Sequence, residues 1–323
     1  MKERIVIGLA CLLCLACLLC LAACGPKKTT ESKAEPRAFP AAVIPIMLED
    51  PNQRISWLVQ HYWDPFTAPD SLYFSDSLHI NGVPFGEVEE QMGVFATMLQ
   101  QVTPEDGGKA LENLFGRMDG FQEAHPSANL FDKLNALVSK YFYDPNSPVR
   151  SELLYLSYVK RLAGSGRVSA TDRKRYEWEA ETCALNLPGT PAADFSFIDT
   201  EGRRRTLYGI DADLTLLIFG NPDCRACQEI QQSIAAVEAL SKAIKSGRLK
   251  VVDIYIDKDI SLWKARIPDY PKDWINGYDP DFTIRTDLLY NVRALPSLYL
   301  LDKDKTVLLK DCTPEQFFRA MGV

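Results

Sequence analysis

Leu214-Thr215-Leu216-Leu217-Ile218-Phe219-Gly220-Asn221-Pro222-Asp223-Cys224-Arg225-Ala226-Cys227 is the stretch that decides the fold. Leu214 to Phe219 is a continuous apolar run, the pattern of a strand covered on both faces. Pro222 cannot continue it, and from Gln228 to Ser246 apolar residues return at helical spacing until Gly247. Cys224 and Cys227 therefore sit where a buried strand ends and a long helix begins. A sulfur at a helix N-terminus faces free backbone N–H groups and the positive end of the dipole, which favour its thiolate. Two intervening residues bring the second sulfur within bonding reach. Cys224 is the expected nucleophile and Cys227 the expected resolving thiol. Arg225 adds a positive charge that favours the thiolate, and Asp223 a negative one that opposes it. A zinc half-site is the competing use of such a pair, but it needs two further ligands at suitable spacing.

Outward from this stretch, strands and helices alternate. Phe195 and Phe197, the turn Asp199-Thr200-Glu201-Gly202, and Thr206-Leu207 predict a hairpin. Val251 to Ile256 predicts a second buried strand. Leu298–Leu301 and Val307–Leu309 predict another hairpin around Asp302-Lys303-Asp304-Lys305. Thr313-Pro314-Glu315 opens a last helix with Phe317 and Phe318. Ala294-Leu295-Pro296-Ser297 leads directly into a strand, where a Pro is unusual because it cannot donate to the ladder.

Upstream, Leu187-Pro188-Gly189-Thr190-Pro191 ends one pattern and begins the other. Residues 40–187 read as an all-α domain and residues 188–323 as the α/β domain. Ile55, Leu58, Val59 and Tyr62 form a helical stripe, as do Met92, Phe95, Met98 and Leu99. Thr103-Pro104-Glu105-Asp106 is a helix start, and so is Ser169 with Asp172. Ser127 and Ser147-Pro148 are expected to open two more helices. These stripes read as core. His61, His79 and His125 lie in different elements with no Cys or acid at ligand spacing, so no metal is expected. The site calls for no cofactor.

The chain has 323 residues and a net charge of −7, with no basic block that would hold a nucleic acid. Arg203-Arg204-Arg205 reads as a solvated turn. Lys2 and Arg4 precede an apolar run from Ile5 to Leu21, which closes on Leu21-Ala22-Ala23-Cys24. This leader, residues 1–23, resembles a bacterial lipobox signal peptide, which implies acylation of Cys24. Residues 24–39 then read as a flexible tether between lipid and fold. Gly25, not Asp, follows Cys24, so by resemblance to other lipoproteins the outer membrane, facing the periplasm, is the expected location. Of nine cysteines, Cys11, Cys14, Cys17 and Cys20 fall in the leader and Cys24 is the anchor. Cys183 and Cys312 remain beside the adjacent pair. They form a second disulfide or stay as buried thiols, and the residues leave both open.

From Gly189 to Val323 the chain resembles the thioredoxin superfamily, and within it the TlpA-like, membrane-anchored thiol-disulfide oxidoreductases. The carriers are Gly189-Thr190-Pro191-Ala192-Ala193-Asp194-Phe195, Asp199 with Gly202, the Cys pair, Tyr290-Asn291-Val292 before Leu295-Pro296, and Leu300-Leu301-Asp302. Ile260 to Asp287 is similar to the enlarged central region of that group. The whole layout resembles Bacteroidetes-type lipoproteins with an uncharacterised helical domain before a thioredoxin-like one. The resemblance implies a central mixed sheet flanked by helices, and a cis-proline loop at Leu295-Pro296 that faces the Cys pair and takes substrate as an added strand. It implies protein thiols and disulfides as partners, with an upstream thiol-disulfide donor or acceptor. Three positions depart from it: Asp223 stands where Trp is usual, Ile218 where a buried acid is usual, and the Glu after the pair is displaced to Glu229. The expected activity is disulfide reduction by Cys224 and Cys227. The alternative is a partner-binding envelope lipoprotein whose thioredoxin-like half is scaffold.

Overall fold

The computed structural model describes residues 35–70 and 72–323. The leader and Cys24 lie outside the described residues, as does the tether up to residue 34. Among the described residues no helix is long and apolar enough to cross a membrane.

The first half is helical, with α1 (Pro51–His61), α2 (Phe85–Leu99), α3 (Pro104–Ala124), α4 (Leu130–Val138), α5 (Glu152–Ala163) and α6 (Ala170–Cys183). Side-chain oxygens of Asp50, Thr103, Ser151 and Ser169 each accept a backbone N–H in the first turn of their helices. Two starts differ from expectation. The helix after Ser147-Pro148 begins only at Glu152, because the Ser147 hydroxyl is spent on the Tyr141 carbonyl and Ser151 takes the cap. The helix expected from Ser127 begins at Leu130, after Asn129. A two-stranded ribbon of β1 (His79–Ile80) and β2 (Val83–Pro84), not evident in the sequence, precedes α2. One continuous core runs from Val59 to Cys183, rich in Phe, Tyr, Leu and Met. Close approach of α3 and α5 needs glycine: a Cβ at Gly107 would stand 2.7 Å from Leu154 Cδ2.

The second half holds a mixed sheet in the order β4-β3-β7-β6-β5-β8-β9. Its strands are β3 (Ser196–Asp199), β4 (Arg204–Thr206), β5 (Leu214–Gly220), β6 (Leu249–Tyr255), β7 (Ile275–Tyr278), β8 (Ser297–Asp302) and β9 (Val307–Leu309). Strands β5, β6 and β7 are parallel, and β8 runs antiparallel to β5. One face packs Phe195, Phe197, Leu217, Phe219, Tyr290 and Tyr299. The other is covered by α7 (Arg225–Ala236), α8 (Glu238–Lys245) and α11 (Pro314–Met321), through Ile230, Ile234, Leu240, Ile244 and Phe317. The helix expected to run unbroken to Ser246 is two helices, parted at Val237, whose backbone is extended. The reason is phase. Ile230 and Ile234 face the sheet, and a continuous helix would next present residues 237 and 241. The break rotates the stripe so that Leu240 and Ile244 face it instead. Between β6 and β8 lie α9 (Ile260–Arg266), β7 and α10 (Thr283–Thr286).

The halves meet through buried charges. Glu152, at the start of α5, accepts from Asn291 Nδ2 at 2.6 Å and from Arg293 Nε at 2.8 Å, and pairs with Lys310 Nζ at 3.0 Å. Lys310 also donates to the Cys183 carbonyl at 2.7 Å and to the Leu185 carbonyl. Asn186 donates to the Leu289 carbonyl at 2.7 Å.

Candidate active site

The turn between β5 and α7 is built by Asn221. Its side chain accepts the Asp223 N–H at 2.9 Å and its carbonyl accepts the Cys224 N–H at 3.0 Å, an Asx-type turn that ends the strand. Its amide nitrogen is held by Asp257 at 2.7 Å. Gln228 donates to the Pro222 carbonyl at 2.6 Å. Together these contacts aim the start of α7 outward.

Cys224 is the N-cap of α7, and its sulfur accepts the Cys227 N–H at 3.2 Å. The two cysteines form a disulfide with their Cα atoms 5.2 Å apart. Cys224 is half-buried and Cys227 is 2% exposed, so only the first sulfur is open to an approaching group. The bond Leu295–Pro296 is cis, and the Leu295 carbonyl oxygen lies 3.6 Å from Cys224 Sγ. The two features singled out in the sequence, 71 residues apart, thus stand side by side.

The flanking charges are paired elsewhere. Arg225 is 91% exposed and reaches along the helix to Glu229 at 2.8 Å. Asp223 binds Arg266 of α9 at 3.0 Å. Each of the two expected tuning charges carries an opposite charge beside it, which weakens its field at the sulfur. The helix N-terminus adds positive potential there.

Cys183 and Cys312 are not joined; both are buried free thiols. Burial pushes each up to about 12, so neither forms a thiolate at neutral pH. The second disulfide weighed in the sequence is absent from the structure.

One group was missed in the sequence. Asp253 of β6 is buried and pairs in register with Ile218. An acid therefore lies one strand over from the position where Ile218 replaced it. Its Oδ2 accepts from Gln231 of α7 at 2.9 Å. Its Oδ1 has no partner among the described residues. A Cβ at Gly220 would stand 2.8 Å from that oxygen, so Gly220 is what admits the carboxyl. Burial pushes the carboxyl up to about 7, with Gln231 opposing the shift. The signal was an Asp inside the apolar run Val251-Val252-Asp253-Ile254, where a carboxylate has no place unless it is partnered.

The loop bearing Pro296 is tied on both sides to the helical half. Before it, Arg293 binds Glu152, donates to the Tyr143 carbonyl and lies over the Tyr143 ring at 4.2 Å. After it, Ser297 donates to Asp311 at 2.8 Å, and Asp311 faces Arg150 at 3.5 Å. The histidines play other parts: His61 stacks on Trp57, His79 binds Asp76, and His125 bonds the Pro69 carbonyl. Among the described residues no three His, Cys, Asp or Glu side chains are grouped as metal ligands.

A domain of unknown function, DUF5106, matches residues 21–186. The crystal structure of a thioredoxin-like protein from Bacteroides caccae is 32% identical, with a TM-score of 0.77 over 88% of this chain and 98% of that one. The C-terminal domain of an uncharacterized protein from Bacteroides fragilis is 40% identical over 43% of this chain and 99% of its own, with a TM-score of 0.42. A domain of a possible thiol-disulfide isomerase from Cytophaga hutchinsonii is 26% identical over 43% of this chain and 93% of its own, with a TM-score of 0.36. No curated protein matches the chain. With the helical half matching that domain and the whole layout matching the Bacteroides caccae structure, the chain belongs to the DUF5106 family, in its form with a thioredoxin-like C-terminal half.

Proposed function

We propose that the protein is a thiol-disulfide oxidoreductase that reduces disulfides of other proteins. The observation that carries this reading is Cys224 at the N-terminus of α7, half-exposed, bonded to a buried Cys227 and beside the Leu295–Pro296 loop. In the reduced protein the Cys224 thiolate attacks one sulfur of a substrate disulfide. A mixed disulfide forms, and the substrate's other sulfur leaves as a thiolate and takes a proton from water. Cys227 then loses its proton and attacks Cys224 Sγ. The Cys224–Cys227 bond forms, the mixed disulfide breaks, and the substrate leaves as a dithiol. Two electrons pass from protein to substrate, and an upstream dithiol donor must restore them. Leu295 and Pro296 present backbone to the substrate chain.

We place the protein at the bacterial envelope, acylated at Cys24 and facing the periplasm from the outer membrane. The support is the leader's basic, apolar and Ala-Ala-Cys order. Palmitate labelling that survives in the wild type and vanishes in Cys24→Ala tests the anchor. The reduction potential of the pair tests the redox reading. A value between about −300 and −120 mV fits exchange with other dithiols, and one well below about −300 mV marks an inert structural bond.

A second reading keeps the fold as a scaffold for a partner-binding protein. It is favoured by Ile218 in place of the usual acid and by the pairing of Asp223 and Arg225 away from the sulfur.

A further inference from the structure

Ahead of α1, Pro45-Ile46-Met47-Leu48 forms a turn closed by the Leu48 N–H on the Pro45 carbonyl at 3.0 Å. Its two central positions, where Gly, Asn, Asp and Ser are usual, hold Ile46 and Met47. These side chains are 96% and 85% exposed, and Val43 beside them is 84% exposed. Among the described residues no other large apolar side chain is as open. The residue between, Ile44, is half-buried and lines a cleft with Ile55 and Leu58 of α1. Exposed apolar side chains gathered on one feature mark a contact surface. We propose that Val43, Ile46 and Met47 enter the surface of the bilayer that carries the acylated Cys24. The helical half is then the mount that fixes how the protein stands on its membrane. This rests on the acylation reading above.

Three observations point to a bilayer. The first is attachment. The Arg37 N–H donates to the Gly82 carbonyl at 2.9 Å, and the Phe39 N–H to Glu87 of α2 at 2.7 Å. The Phe39 ring packs on Tyr62, Trp63 and Phe66. The chain is thus fixed to the helical body from Arg37 onward, just before the apolar turn. The second is reach. Cys24 lies 13 residues before Arg37, and a flexible tether of that length, as its composition reads, spans about 20 Å on average. The lipid therefore holds the turn close to the membrane at a high effective concentration. The third is size and chemistry. A specific protein interface takes roughly 800 Å² of each partner, far more than one turn offers. A bilayer needs no shaped partner surface, and aliphatic side chains that enter it leave water. The nearby charges are of both signs, Arg37 and Arg54 with Glu49 and Asp50, so apolar contact and not charge drives the insertion.

The test uses the full chain, oxidised, purified from palmitate-labelled cells and placed on phosphatidylcholine vesicles. Met47→Cys carries an environment-sensitive fluorophore. Glu238→Cys on α8, where the side chain is 81% exposed, carries the same one in the redox half. The native pair is closed to the label as a disulfide, and Cys183 and Cys312 are buried. A lipid with a nitroxide on its acyl chain is expected to quench the label at position 47 about threefold and to leave the label at position 238 unchanged. Adding Ile46→Glu is expected to abolish the quenching while the protein still floats with the vesicles. Raising the salt is expected to leave the quenching at position 47 as it was. No quenching at position 47, or equal quenching at both positions, overturns the inference and leaves the anchor in place. So does a change in the label at position 47 that follows protein concentration without lipid, the mark of a second copy. Protein that takes up no palmitate and does not float overturns the acylation reading, and this inference with it.

Discussion

The two halves of the molecule use buried charge in opposite ways. Where the helical half meets the sheet, buried Glu152 faces Arg293 and Lys310, and Arg293 also faces Asp311, so opposite charges are set against one another. Beneath α7, Asp253 is buried with one amide partner and one empty oxygen. A paired cluster fixes geometry, because removing any member strands the rest. A lone carboxyl instead keeps a proton that it can lose near neutral pH. The first arrangement suits a joint that holds the proline loop still. The second lies below the helix that carries the Cys pair at its start.

The contrast is broken most forcefully at Glu152. Changing it to Ala leaves Arg293 and Lys310 buried without their acid, and the expected loss is about 3–5 kcal/mol of stability. Urea unfolding followed by circular dichroism reads it. A change below about 1 kcal/mol would mean the joint is not held by charge.

Asp253→Asn comes next, and its effect depends on pH. The folded carboxyl titrates at about 7, whereas an unfolded Asp titrates near 4. Between those values the folded state binds the proton and the unfolded state does not. Stability from this group is therefore full below about pH 4 and falls as pH rises, until the folded group too has ionised above about 7. Tyr270 and the Gln231 amide lie beside it, and only Asp253 changes charge in that window. The expected fall is on the order of 2–4 kcal/mol in the wild type, and the Asn variant should flatten it. Melting temperatures from pH 4 to pH 8 show whether it does.

Gly220→Ala tests the same pocket from the strand. A methyl 2.8 Å from Asp253 Oδ1 must displace the carboxyl, at a cost of about 1–3 kcal/mol. Combined with Asp253→Ala it should cost less than the two single changes together, because the obstruction is gone. The smallest effect is at Arg225. Its ion pair with Glu229 is solvent-exposed, so Arg225→Ala should leave the melting temperature unchanged. It should also leave the rate of Cys224 alkylation within about threefold, if the helix N-terminus is what activates the sulfur.

Much of this was legible in the sequence, for local reasons. Period and caps mark the buried strand at Leu214, the helix start at Thr103 and the hairpin at Val307. The positions of the Cys pair and of Pro296 were readable because a strand end followed by Cys-x-x-Cys, and a Pro leading into a strand, are visible in adjacent residues. What stayed hidden depends on distant partners. Glu152 and Arg293 are 141 residues apart, and nothing near either announces the other. Asp253 becomes notable only once register sets it against Ile218. The break at Val237 follows from where the sheet face lies, which helical spacing alone does not fix. β7 is short and contains Gly277, so it gives no strand pattern of its own.

The central claim is the division of labour between the two sulfurs. It is tested most directly by mixing reduced Cys227→Ser and Cys224→Ser with a disulfide-bonded polypeptide and measuring the mass of the adducts. The account predicts a stable mixed disulfide on Cys224 in the first variant and none in the second, where the remaining sulfur is buried. Adducts on Cys227 in the second variant, or no adduct in either, would contradict it.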